Sequence, residues 1–179
     1  MKLLLVRHGE TDYNHNNRMQ GTINISLNDA GRRQCKQLRL ELNKKKIDVC
    51  FSSPLIRAFE TAMILVGDKV EIKKDTRLIE RELGDFDGKD RKNYDRDLYW
   101  NYDLNSNESG VEQVKELFKR VNDFLSYLNN NYKDETILIV SHGAVIRTLH
   151  YILTNTKLEK ILPDFPIGNC YYEELEYKN

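Results

Sequence analysis

Short apolar runs alternate with longer amphipathic stretches along the chain. Leu3–Val6 (LLLV) and Thr136–Val140 (TILIV) are continuous apolar segments, the pattern of strands buried on both faces. Asp48–Phe51 predicts a further strand, Val70–Ile72 a weaker one, and the tail CYYEELEY a last strand at a sheet edge. Between them the period lengthens to that of a helix. Residues 28–45 set Leu38 and Leu42 one turn apart among basic residues, and a helix from Pro54 to about Val66 opens on a proline where a first turn tolerates it. The clearest helix is Val111–Leu128, with Val111, Val114, Leu117, Phe118, Val121, Phe124, Leu125 and Leu128 on one face. Ser109 and Glu112 are spaced as a capping box at its start. Gly143–Leu153 reads as one more helix.

Strands alternating with helices predict an α/β fold, a three-layer sandwich around a mostly parallel central sheet. Right-handed crossovers bring the loops that follow the strands to one edge, where such sheets bind ligands. No internal repeat and no Pro- or Ser-rich linker divides the chain, so residues 1–179 read as a single domain. The polar, aromatic-laced stretch at about 89–110 is too long for a bare connector and is either partly helical or a lid.

Composition narrows the function classes. The chain has 28 Lys+Arg against 28 Asp+Glu, a zero balance that argues against bulk electrostatic binding of nucleic acid. It leaves room for a small basic pocket. Cys35, Cys50 and Cys170 form no CxxC pair, which fits a reducing, cytoplasmic setting. Apolar runs fall far below the ~18 residues of a membrane span, and four apolar residues before Arg7 are too few for a signal peptide. The expectation is a cytoplasmic protein that meets a small molecule, with neither nucleic acid nor membrane as partner. Oligomeric state is left open, with Tyr171 and Tyr172 as exposed aromatics that hint at an interface.

Two predicted strands end alike. Leu3–Val6 runs into Arg7-His8-Gly9, and Ile137–Val140 into Ser141-His142-Gly143. One strand-end histidine reads as a structural residue; two on one sheet edge read as a site. After Phe51, Arg57 falls in the first turn of the next helix, at the same edge. Helix N-termini and guanidinium forks both favour phosphate. Two arginines and two histidines together suit a phosphoryl group.

The blocks LLLVRHGETDYN (Leu3–Asn14), RMQG (Arg18–Gly21), SSPLIRAFETA (Ser52–Ala62), RLIERELGDFDG (Arg77–Gly88) and VSHGAVIR (Val140–Arg147) resemble the histidine phosphatase superfamily, also called phosphoglycerate mutase-like. Glu108–Gly110 and IGNCYYEEL near the end add to the likeness, in family order across nearly the whole chain. The resemblance implies hydrolysis of a small phosphomonoester through a phosphohistidine on His8, with no metal and no cofactor. It implies that Arg7, Arg57 and His142 hold the phosphoryl oxygens, with Asn14 as a further donor. Such positioning and charge stabilisation carries most of phosphoryl-transfer catalysis. Glu80 matches the family's acid, which protonates the leaving oxygen and then activates water; residue pattern alone does not separate it from Glu82. Gln20, Gly21, Gly143 and Ala144 match positions lining the substrate pocket.

Some features depart from the family. Asn24–Asn28 stands where members often carry DSPLT, and Phe86-Asp87-Gly88 replaces the commoner Trp-Glu-Gly. The chain is shorter than true phosphoglycerate mutases and lacks their arginine pair, Trp100 being followed by Asn101 and Tyr102. A phosphatase is therefore preferred to a mutase-type phosphotransferase. Within the resemblance the substrate is α-ribazole phosphate, a sugar phosphate or phosphoglycerate. Tyr94, Tyr99, Trp100 and Tyr102 either stack on a leaving group or pack a surface helix, while Arg91, Lys92 and Arg96 are candidates to meet a second anion. A non-catalytic phospho-ligand module is disfavoured because the five central residues are all present. A phosphohistidine or phosphoprotein phosphatase is disfavoured by the dedicated acid. His15 and His150 fall outside the motifs as surface or helix-face residues, and the four histidines lack metal-ligand spacing.

Overall fold

The twice-buried segments take the centre of the sheet. In the computed structural model, which describes residues 1–104, 108–158, 162 and 164–177, the strands are β1 (Lys2–Arg7), β2 (Val49–Ser52), β3 (Ile72–Lys74), β4 (Thr136–Ser141) and β5 (Tyr172–Glu176). Their order is β3-β2-β4-β1-β5. All neighbours are parallel except β5, which runs antiparallel to β1 with Leu4 opposite Glu174. The edge position read from the half-polar tail is the one observed.

Helices α1 (Asp12–His15), α2 (Asp29–Leu42), α3 (Ile56–Val66), α4 (Arg96–Tyr99), α5 (Val114–Asn131) and α6 (Gly143–Leu153) complete the chain. Alternation within each strand divides the core. Leu3, Leu5, Ile137 and Ile139 pack with α5 and α6 on one face. Leu4, Val6, Leu138 and Val140 pack with α2 and α3 on the other. The result is the expected three-layer sandwich. Seven apolar side chains of α5 are buried, at roughly 1.5–3 kcal/mol each, which far exceeds helix propensity as the reason this segment is helical.

Several boundaries differ from the sequence reading, each for a local reason. Pro54 lies outside α3, whose first N–H, on Ile56, is taken by Asn24 Oδ1 at 2.7 Å. Asn28 caps α2 through Gly31 N–H at 2.8 Å. The two asparagines of the departing Asn24–Asn28 segment are thus both helix caps. Helix α5 begins at Val114 and has no capping box: Ser109 adopts a left-handed φ of 62°, and the Glu112 carboxylate instead forms a double hydrogen bond with Arg120 at 2.7 and 2.9 Å. The third strand is Ile72–Lys74, displaced from Val70–Ile72. Tyr171 and Tyr172 are half-buried, Tyr171 edge-on to Phe165 at 5.8 Å and Tyr172 bonded to Glu174 at 3.0 Å.

The stretch at 89–110 is partly helical over its described residues: single turns at Arg91–Asn93, α4 and Glu108–Gly110. Residues 105–107 lie outside the described residues. Trp100 is buried and Tyr102 packs edge-on to Phe118 at 5.5 Å, so this stretch is anchored in the α5 side of the core.

Glycine is required where α2 meets the loop after β1. A Cβ on Gly9 would lie 2.7 Å from the Gly31 carbonyl oxygen and 2.8 Å from Cys35 Sγ, and one on Gly31 would collide with the Glu10 backbone. This close approach fixes the segment that follows His8.

Phe124 is fully buried and stands edge-on to Phe51 at 5.4 Å. Phe124→Ala is expected to cost about 3–5 kcal/mol, read as a lowered urea midpoint at unchanged slope.

Candidate active site

Parallel strands β1, β2 and β4 end side by side, Arg7 opposite Ser141 and Ser52 opposite Val140. The residues that follow are therefore neighbours by topology. His8 donates Nδ1–H to the Gly9 carbonyl at 2.7 Å, which leaves its Nε2 with the lone pair. Arg57 Nε donates to that Nε2 at 3.3 Å. The His142 ring stands edge-on to His8 at 5.1 Å. Its Nε2 is 2.7 Å from Ser53 Oγ, while its Nδ1 is buried with no protein partner.

The two inner guanidiniums are held by main-chain carbonyls. Arg57 is fully buried and donates to Gly21 O at 2.8 Å and Ile23 O at 2.6 Å. Arg7 donates to Ile167 O at 2.6 Å and keeps a buried Nε–H without a protein acceptor. Burial draws each guanidinium down to about 10, with Glu80 opposing the shift. Both stay charged at neutral pH. The imidazoles respond more strongly: burial first, then Arg57, with Arg7 also contributing, pushes His8 and His142 well below the usual histidine range. Both rings are neutral.

Glu80 is set by α6. Its carboxylate accepts Ala144 N–H at 3.2 Å and Arg81 N–H at 2.9 Å. A helix N-terminus favours this negative charge. Ala144 thus meets the site through its backbone, and Gly143 lies against both Glu80 and Arg7. Asn14 Oδ1 accepts from Thr11 N–H at 3.2 Å and Asn169 Nδ2 at 3.0 Å, so the amide presents its NH₂ end elsewhere. Gln20 Oε1 is likewise taken, by Thr11 Oγ1 at 3.0 Å.

These groups border one cavity of about 290 Å³, lined by Arg7, His8, Asn14, Gln20, Gly21, Arg57, Glu80, Gly143 and Ala144 among others. Every catalytic or pocket residue implied by the resemblance lines it except His142, whose ring stands edge-on to His8. The structure also separates Glu80 from Glu82: only the former borders the cavity.

The outer half was only partly foreseen. Arg91, Tyr94, Arg96 and Trp100 line it as expected of that stretch, but Lys92 turns to Asp90 at 3.3 Å, and Tyr99 reaches the wall only by stacking on Tyr94 at 5.1 Å. Arg81 and Arg147, with no role from sequence, both reach Trp100, each guanidinium 5.0 Å from its ring centre. The signal was present: Arg81 follows Glu80, and Arg147 is one helical turn after Gly143. Ser53 and Asn169 were also missed. Their roles are to hold His142 and Asn14, which no spacing rule encodes. In all, six arginines face the cavity against Glu80 and Asp164.

Comparison with known proteins gives the family and the fold. The profile of the histidine phosphatase superfamily (branch 1) matches residues 3–179. Phosphoglycerate mutase-like protein 4 of Arabidopsis thaliana is 36% identical over 173 residues, covering 90% of this chain and 75% of that protein. Phosphoserine phosphatase 1 of Hydrogenobacter thermophilus is 32% identical over 179 residues, 96% of this chain and 84% of that one. Mycobacterial glucosyl-3-phosphoglycerate phosphatase in complex with VO3 superposes with a TM-score of 0.87 at 29% identity, over 98% of this chain and 92% of that chain.

The depressed imidazoles make stability pH-dependent. Unfolded histidines take up protons near pH 6.5 and these buried ones only lower, so the unfolded chain binds more protons in that window. Stability is then expected to fall as pH drops below about 6.5, by up to about 1.4 kcal/mol per unit for each ring. Urea unfolding across this range is expected to show a shallower decline in His142→Asn; an equal decline would refute the assignment of a neutral buried ring.

Proposed function

The chain belongs to the histidine phosphatase superfamily, branch 1, and on that premise we propose that it is a cytoplasmic phosphomonoesterase working through a phosphohistidine on His8. The observation that carries this reading is the junction of His8, Arg7, Arg57, His142 and Glu80 at the inner end of an arginine-rich cavity. A phosphate ester offers Arg57 a better acceptor than an imidazole nitrogen. Its move to the phosphoryl oxygens frees the His8 Nε2 lone pair. That lone pair attacks phosphorus, the P–O ester bond breaks, and Glu80, which takes up a proton from solvent as the anionic ester binds beside it, passes that proton to the departing alkoxide.

In the second half, Glu80 takes a proton from water, whose oxygen attacks phosphorus and releases His8 and inorganic phosphate. Arg7 Nε–H and His142 Nδ1 are buried polar atoms without protein partners, and both suit a phosphoryl oxygen. A dianion beside His142 favours its protonation, opposing the burial and the cationic neighbours that keep the ring neutral.

The leaving group is, in this reading, itself anionic. Arg81, Arg147, Arg91 and Arg96 exceed what one phosphoryl group needs, and with Trp100 in the same lining they suit a compact carboxylate-bearing or sugar-linked group. The relatives named for phosphoserine and glucosyl-3-phosphoglycerate support an acidic substrate.

Phosphate release from a panel of esters in excess chelator is the direct test. Turnover is expected to survive chelation and vanish in His8→Ala, while Glu80→Gln lowers it about 10²–10⁴-fold. Activity persisting without His8 refutes the covalent route, and phosphoryl appearing on an added alcohol acceptor instead of water marks a phosphotransferase. In a second test, Arg147→Ala is expected to raise KM for carboxylate-bearing esters more than for a neutral aryl phosphate. An unchanged substrate ranking would refute the anionic leaving group.

A further inference from the structure

Cys35 and Cys170 lie 135 residues apart in sequence with their sulfurs 3.5 Å apart, both as free thiols. Cys35 is fully buried on α2. Cys170 is half-exposed in the turn before β5, where it opens into a groove along α2 bordered by Arg33, Gln37 and Lys44. We propose that these two cysteines are an oxidative modification site, closing to a disulfide that acts on the loop carrying His8.

The geometry favours closure on each side. Cys170 has a left-handed φ of 52°, a costly backbone for a non-glycine residue, which sets its side chain against α2. The two sulfurs are in hydrogen-bond contact, and the groove gives an oxidant access to Cys170 while buried Cys35 stands beside it as the resolving thiol. With a peroxide as oxidant, the accessible Cys170 sulfur attacks one oxygen and the O–O bond breaks. The departing hydroxide takes the thiol proton as water and leaves a sulfenic acid. The Cys35 sulfur then displaces the sulfenic hydroxyl, which leaves with the Cys35 proton as a second water. Two thiols are oxidised to one S–S bond and one peroxide is reduced.

Closure reaches the site because both cysteines touch it. A bonded pair sits near 2.05 Å, so the sulfurs must approach by about 1.5 Å. The Cys170 N–H and the Asn169 side chain each donate to the His8 carbonyl at 3.2 Å. On the other side Cys35 Sγ contacts Thr61 Oγ1 at 3.6 Å, and that hydroxyl accepts Gly9 N–H at 3.1 Å and donates to the Arg57 carbonyl at 2.7 Å. The contraction therefore pulls on the backbone of His8 and of Arg57 together.

The bond itself is independent of the proposed hydrolysis, whereas its effect on turnover rests on that reading. The test treats the whole protein with hydrogen peroxide, then maps an unreduced digest by mass spectrometry and measures hydrolysis of an aryl phosphate. A 35–170 linked peptide lighter by two hydrogens is expected, with turnover lowered about 10- to 100-fold and restored by dithiothreitol. Cys170→Ser and Cys35→Ser are each expected to keep basal turnover, form no link and resist inactivation, while Cys50→Ser behaves as the parent. Oxidation of both sulfurs without a link overturns the site. A link at full turnover, or inactivation undiminished in both serine variants, overturns its control of the reaction. If no ester is turned over at all, the hydrolytic reading has failed while the linked peptide still decides the site.

Discussion

Guanidinium groups gathered in one cavity must be held without being neutralised, and main-chain carbonyls do this here. Arg57 is tied to Gly21 and Ile23, Arg7 to Ile167 and Arg81 to Glu112 through backbone oxygens, while Arg96 and Arg147 hold the Leu162 and Phe165 carbonyls and also share the Asp164 carboxylate at 3.7 and 3.8 Å. A carbonyl dipole fixes a guanidinium in place and satisfies its donors but leaves its unit charge for a ligand. Residues 21–23 and 164–167 have little regular structure of their own. They are shaped by the arginines they coordinate as much as the arginines are placed by them.

The same crowding sets the state of the histidines. Two imidazoles in contact at the end of a buried sheet, beside two fixed cations, have no reason to protonate until an anion arrives. A neutral His8 is a ready lone pair, and a His142 that gains a proton only in the presence of a dianion adds charge where it is needed. Glu80 is the carboxylate positioned to temper this field, and the N-terminus of α6 holds it at one fixed place. A chain whose charges balance overall has concentrated its positive potential in one cleft.

Much of this was legible in the chain before any coordinates. Leu3–Val6 and Thr136–Val140 could only be central strands, and their identical endings in His-Gly located the site, since parallel neighbours deliver their following residues to one edge. What was hidden has a common cause: it depends on contacts between segments distant in sequence. Nothing local in Asn24 tells that it caps α3 some thirty residues on, or in Ser109 that it turns left-handed instead of capping α5. Arg81 and Arg147 stood inside recognised blocks, yet only the fold shows that both reach Trp100. The aromatics of the 89–110 stretch were read as stacking or packing residues, and they divide: Tyr102 packs, Tyr94 and Trp100 form the wall.

That wall holds the chain's single tryptophan. An indole within 5.0 Å of two guanidiniums, in the wall of a cleft shaped for anions, has its excited state governed by charges a ligand would neutralise. The indole emission of the whole polypeptide is thus emission from this one cleft. The protein carries its own optical gauge of occupancy, undiluted by any second fluorophore of the same kind and needing no label.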